Sequence, residues 1–129
     1  MEPKFTRTGF ILYVSCYEAC VDFYRNVLHL PTLFETSTLT CFEFGFSYLM
    51  VESGGPSQRL SDHATCLRLN VPDVKEHAKS LKALGVTVDF QEHDWGTVAK
   101  FEDPAGNLIA FKDDSRFEQQ VAGAAPKIS

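Results

Sequence analysis

At 129 residues the chain is long enough for one domain with its own apolar core, needing neither disulfides nor metal to fold. Hydrophobic residues make up 44% and charged residues 22%, ordinary proportions for a soluble globular protein. A net charge of -5 and a pI near 5.3 argue against nucleic acid and anionic membrane surfaces as partners. No apolar run is long enough to span a bilayer and Met1–Gly9 carries no signal-peptide pattern, so a cytoplasmic location is expected. The four cysteines, Cys16, Cys20, Cys41 and Cys66, include no CxxC pair, and buried reduced thiols are the simplest expectation. Cys16 and Cys20 are four apart, but no second His or Cys pair follows at the spacing of a zinc clip.

In chain order, Met1–Thr8 is polar and reads as a flexible arm or edge segment. Phe10–Ser15 (FILYVS) is a short apolar strand. Glu18–Leu28 has helical period, with Ala19, Phe23, Val27 and Cys20, Tyr24, Leu28 predicted on one buried face, and Pro31 stops it. Three β-like runs follow, Thr32–Thr36, Leu39–Phe44 and Ser47–Glu52, separated by a Thr/Ser turn and by Gly45. Ser53–Asp62 (SGGPSQRLSD) is polar, carries Gly and Pro, and reads as a linker.

The order then repeats. Thr65–Asn70 reads as a strand, and Asp73 caps a helix over Val74–Leu84 that buries Val74, Ala78, Leu81 and Leu84 and ends at Gly85. Val86–Phe90, Thr97–Glu102 and Leu108–Lys112 are three more predicted strands. Between the last two, Asp103–Asn107 (DPAGN) is a hairpin turn: proline presets φ, glycine supplies positive φ, and Asp and Asn bond nearby backbone. Trp95, the only tryptophan, stands before Gly96 in the loop expected to feed this hairpin. Ser115–Ser129 reads as a poorly ordered tail beyond a helical turn at Arg116–Val121.

The pattern is βαβββ twice, at an offset of 56 to 57 residues, with modules at 5–53 and 64–114, a linker at 54–63 and a tail at 115–129. Alternation along strands separates two faces. Phe10, Leu12, Val14, Leu49, Val51, Leu67, Leu69, Val71, Ile109 and Phe111 form an apolar face that should pack under the helices. The opposite face mixes Ile11 and Tyr13, Tyr48, Met50 and Glu52, Cys66, Arg68 and Asn70, and Leu108, Ala110 and Lys112. Leaving that face in water would expose Ile11, Met50, Cys66, Leu108 and Ala110 as one apolar patch. A concave, partly wet cavity suits the mixture better.

The paired βαβββ pattern, FYRNVLHL after the first helix, WG before a strand, and DPAGNLIAF together resemble the vicinal oxygen chelate superfamily, over roughly Phe5–Asp114. That superfamily includes glyoxalase I, extradiol dioxygenases, and fosfomycin- and bleomycin-resistance proteins. The resemblance implies an α+β fold of paired βαβββ modules forming a curved mixed sheet with a concave cavity. It also implies four strand positions where the family's enzymes hold a divalent metal with His, Gln or Glu. By pattern these positions fall at Gly9, near Met50, at Cys66 and at Ala110, none of them such a ligand. A register error of one residue restores nothing, since Phe10, Leu49, Val51, Thr65, Ile109 and Phe111 are not ligands either. The family's usual glycine after the first helix is replaced by His29, at a left-handed cap.

The remaining histidines read as follows. His63 lies in the linker, where a relocated site with Cys66 and Glu52 is conceivable, although alternation does not put the three on one face. His77 reads as exposed on the second helix, and His93, beside Trp95, as a surface-loop residue in preference to one lining the cavity mouth.

The leading reading is a metal-independent small-molecule-binding protein, without a cofactor, that forms a homodimer and sequesters a cationic aromatic compound, as the resemblance to metal-free bleomycin-resistance proteins implies. Its binding residues would be Trp95, Phe44, Tyr13, Tyr48, Met50, Cys66, Asn70, Glu52 and Arg68, with Phe34 assisting Trp95. Glu52 and Arg68 could instead neutralise each other across the cavity. Two alternatives stand beside it: a metal-dependent lyase, isomerase or dioxygenase with non-standard ligands, and a non-catalytic protein-interaction module.

Overall fold

A computed structural model of the chain describes residues 5–54 and 63–124. The predicted linker therefore lies almost entirely outside the described residues, as do residues 1–4 and 125–129. Eight strands form one mixed sheet: β1 (Arg7–Val14), β2 (Thr32–Glu35), β3 (Leu39–Phe44), β4 (Ser47–Ser53), β5 (Thr65–Val71), β6 (Asp89–His93), β7 (Gly96–Glu102) and β8 (Leu108–Asp113). Their spatial order is β2-β3-β4-β1-β5-β8-β7-β6. β1 pairs in parallel with β4 and β5 with β8, while the antiparallel β1–β5 ladder joins the two halves.

One face carries α1 (Tyr17–Asp22) and α2 (Val74–Ala83). Val21 packs with Phe42 and Val51, and Val74 and Ala78 with Val71, Ala99 and Phe111, so the aliphatic face lies under helices as its alternation predicts. Phe10 is the departure at 45% exposure: α1 packs chiefly on β4 and α2 on β7 and β8, which leaves the central seam half open.

Three predicted elements change, the first two for a local reason. The first helix continues as a π-helical turn over Phe23–Val27, with the Leu28 N–H donating to Phe23 O. That wider turn breaks the 3.6-residue period, so Ala19, Phe23, Val27 and Leu28 are exposed and Val21 is the buried residue. His29 follows at φ 57, the left-handed cap predicted for it. After α2, the Val86 N–H donates to Leu81 O and the Gly85 N–H to Lys82 O, a Schellman closure that holds Val86 out of the sheet. The strand is thereby displaced to Asp89–His93, and Leu84 is left 81% exposed.

The third change bears on the site. The tail is a helix, α3 (Asp114–Ala124), capped by Asp113, whose Oδ1 accepts from the Ser115 N–H. α3 lies on the other face of the sheet and buries Phe117 among Ile11, Phe34, Cys41, Tyr48, Met50, Cys66 and Ala110. The Phe117 ring lies 4.4 Å from the Tyr48 ring, and Arg7 pairs with Glu118 at 3.7 Å. With one large apolar residue and Val121 a turn later, the periodicity supports only the helical turn expected at Arg116–Val121 and not the whole helix.

If Phe117 holds α3 in place, Phe117→Ala should cost about 3–5 kcal/mol in urea unfolding, and a loss below about 1 kcal/mol would show that α3 is held by something else.

Candidate functional site

The DPAGN turn sets the register of the site. Asp103 Oδ1 accepts from the Ala105 and Asn107 N–H groups, each at 2.9 Å, and Gly106 has φ 86. Bonds to Asn107 hold the Asp103 carboxyl below the usual range. From this turn β7 and β8 pair so that Lys100 lies opposite Ala110 and Val98 opposite Lys112. β5 continues the rows, with Arg68 opposite Ala110 and Asn70 opposite Lys112. The mixed face of the sheet, with Gln120 of α3, lines a cavity of about 490 Å³. Ile11, Phe34, Leu39, Met50 and Val98 supply apolar wall; Tyr13, Glu52, Arg68, Gln91, Lys100 and Lys112 supply polar groups.

Arg68 is 7% exposed, and its Nε has no hydrogen-bond partner among the described residues. Lys112 is 1% exposed; its Nζ donates to Trp95 O at 3.1 Å and sits 4.5 Å from the centre of the Trp95 ring. Gly96 makes this possible: it has φ 143, and a Cβ there would lie 2.3 Å from Lys112 Nζ. Burial, then the nearby Arg68 cation, pull the Lys112 ammonium down to about 7. Burial pushes the Glu52 carboxyl up, with Arg68 and Lys100 opposing it, and burial also pushes up the Tyr13 hydroxyl and the Cys66 thiol. No carboxylate of the described residues forms an ion pair with Arg68, Lys100 or Lys112, so Glu52 and Arg68 do not neutralise each other by direct contact.

Of the residues expected at the site, Trp95, Arg68, Glu52, Tyr13, Met50 and Cys66 line the cavity, with Phe34. Trp95 stands at the tip of the β6–β7 hairpin, not in a feeding loop, and stacks on His93 at 4.4 Å and 9°. His93 is exposed and lines the mouth of the cavity, the placement that the sequence had ranked second. Tyr48 and Asn70 face the same side but are shut beneath α3, where the Tyr48 hydroxyl donates to Asn70 Oδ1 at 2.7 Å. Phe44 points to the opposite face and is 46% exposed, because Leu39, Cys41 and Glu43 take the cavity side of β3. Alternation had placed Lys112 on the mixed face without marking it as a site residue; Lys100 could have been found by counting back from the hairpin turn.

Two other expectations change. His77 is half-buried, its ring centre 5.3 Å from that of Phe111 in an edge-on arrangement and its Nδ1 at 2.8 Å from Asp73 O. Of the thiols, Cys41 and Cys66 are buried, whereas Cys16 is exposed and lies 3.5 Å from the half-buried Cys20 sulfur.

The four positions that the resemblance assigns to metal ligands do not fit a metal. A Cβ on Gly9 would lie 2.4 Å from Tyr48 O, so no side chain can stand there. Met50, Cys66 and Ala110 are packed into the apolar cluster around Phe117, and burial keeps the Cys66 proton on. A thioether, a protonated thiol and a methyl group give no shell for a hard or borderline divalent ion. His63 lies 3.1 Å from Glu102, and no group of three His, Cys, Asp or Glu side chains converges among the described residues.

The model of the Glyoxalase/Bleomycin resistance protein/Dioxygenase superfamily matches residues 6–111. The chain belongs to that superfamily. No curated protein matches it. Solved structures with the superfamily fold cover most of the chain. An NAD-dependent benzaldehyde dehydrogenase from Legionella pneumophila is 16% identical with TM-score 0.70, over 81% of this chain and 96% of its own. Streptomyces coelicolor methylmalonyl-CoA epimerase is 17% identical with TM-score 0.68, over 84% and 94%. A glyoxalase/bleomycin resistance protein/dioxygenase superfamily member from Vibrio splendidus 12B01 is 17% identical with TM-score 0.57, over 82% and 96%. At these identities the likeness is one of fold.

The buried Lys112 should leave a mark on stability. The unfolded chain keeps this proton to about pH 10.4, whereas the folded protein releases it near pH 7, so the unfolded state holds more protons in between. Stability should then rise with pH by up to about 1.4 kcal/mol per unit. Between about pH 7 and about pH 8, where any thiol contribution is common to both proteins, the slope for Lys112→Met in urea unfolding should be lower than that of the parent protein by up to that amount. An unchanged slope would show that Lys112 is an ordinary lysine.

Proposed function

We propose that this superfamily member is a metal-independent small-molecule-binding protein whose guest lies in the concave cavity beside Trp95. The observation that carries the proposal is the wall itself. A cavity of about 490 Å³, in the range of small-molecule sites, combines apolar side chains with convergent polar groups, while the positions that would hold a metal are spent on packing. α3 closes part of the mixed face, so what remains is a bounded cavity and not a flat surface for a protein partner.

The aromatic half of the guest predicted from sequence has support in Trp95, which is 47% exposed with its ring over the cavity, and in Phe34. Its cationic half has less, since Arg68, Lys100 and Lys112 face one carboxyl, Glu52. The homodimer is retained as part of the reading, supported by the exposed apolar side chains Phe10, Phe23, Val27 and Leu28.

Because Trp95 is the only tryptophan, its emission reports on the cavity mouth. Aromatic ligands should change that emission saturably, whereas Ni²⁺, Mn²⁺ and Zn²⁺ should show no stoichiometric binding by calorimetry. One metal per chain, lost on Glu52→Gln or His63→Ala, would sink the metal-independent reading.

A further inference from the structure

The cavity contains buried positive charge that no carboxylate among the described residues answers with an ion pair. Arg68 and Lys112 are 7% and 1% exposed, lie on the same face of neighbouring strands, and have Lys100 beside them across the methyl group of Ala110. Lys112 spends its contacts on a carbonyl oxygen and a ring, and Arg68 keeps its Nε–H unbonded. A buried cation without a counter-ion is costly. Glu52 is close enough for Arg68 and Lys100 to act on its charge, but it forms no ion pair with either, and in register it lies opposite Tyr13, four residues along β1 from Gly9, which faces Arg68. Burial also favours its neutral form.

From this arrangement we infer that the guest is a carboxylic acid with an apolar or aromatic body, its carboxylate bound by Arg68 and Lys112 and its body lying along Ile11, Phe34, Met50 and Trp95. The inference rests on the small-molecule reading above and adds the charge and class of the guest. The planar guanidinium fork matches a carboxylate in two parallel hydrogen bonds, and a short-range ammonium completes the charge. Inorganic phosphate would satisfy the cations but leave the apolar wall unused. Glu52 and Tyr13, at the far end, remain as hydrogen-bonding groups for a polar substituent.

The test is calorimetry, with Trp95 emission alongside, on the full chain against phenylacetate, indole-3-acetate and octanoate. The matched amides and amines, and inorganic phosphate, serve as the comparison. At least one acid should bind, with its amide and amine weaker by about tenfold or more. Arg68→Gln and Lys112→Gln should each lose about that factor for the acid and leave the amide unchanged. Lys112→Gln also stands alone if the Arg68 variant does not fold. Acid affinity should fall between about pH 7 and about pH 8.5 as Lys112 gives up its proton, and this dependence should vanish in Lys112→Gln. The charged and titratable groups around the amine are Arg68 of β5, Asp113 of β8, Arg116 of α3 and, stacked on the Trp95 ring above it, His93 of β6, so the Lys112→Gln comparison is what assigns the dependence to the amine.

Amides or amines that bind as tightly as the acids would overturn the carboxylate and leave the small-molecule reading standing. Phosphate binding as tightly as the acids would overturn the apolar body. If no compound of any charge bound, the inference and the reading beneath it would fall together.

Discussion

The antiparallel pairing of β1 with β5 is the contact on which the rest of the molecule depends. It turns two four-stranded units into one eight-stranded sheet and leaves neither with an open central edge. Its register sets Gly9 against Arg68 and Ile11 against Cys66, and every row of the cavity follows from those pairs. The seam also explains Gly9, which lies between Arg68 on one strand and the Tyr48 carbonyl and ring on the other. A side chain there would collide with backbone, which does not yield easily. The residue is a packing requirement, and a metal ligand cannot occupy that place without rebuilding β4.

On this frame the concave face divides between structure and site. Phe117 of α3 fills one end and draws Tyr48 and Cys41 into a sealed cluster, so Tyr48, which alternation alone would place in a cavity, becomes core. The open end keeps Arg68, Lys100 and Lys112. Burying these cations costs free energy, offset in part by the Trp95 ring and carbonyl oxygen over Lys112 and by the hydroxyl of Tyr48 beside Arg68. Trp95 therefore serves twice, as the cover over the ammonium and as half-exposed wall at the mouth of the cavity.

Such an arrangement is a compromise between stability and an available charge. An apolar residue at position 112 would pack without the desolvation cost, and Gly96 is held in a backbone conformation few other residues adopt so that the amine has room. A backbone conformation kept for glycine and buried cations without an ion pair among the described residues, gathered at one end of one cavity whose other end is sealed by an aromatic plug, is the distribution that the proposed binding site would produce.

The chain's periodicities and turn chemistry by themselves determined the two strand–helix–three-strand runs, the Asp73 cap, the DPAGN hairpin and the face of each strand, because these are local properties of dihedral preference and alternation. They placed Arg68, Glu52, Tyr13, Met50 and Cys66 on one wall for the same reason. Hydrogen bonds that close over the ends of helices moved other boundaries, as at Phe23–Val27 and Val86, where a single i to i−5 bond outweighs the apolar pattern. Only the tertiary structure decided that α3 folds back onto the sheet, that Tyr48 and Asn70 are sealed beneath it while Phe44 points away, and that Lys112 lies under Trp95. Those outcomes depend on which distant surfaces meet, and on burial that changes what a charge costs, neither of which can be read from neighbours along a chain.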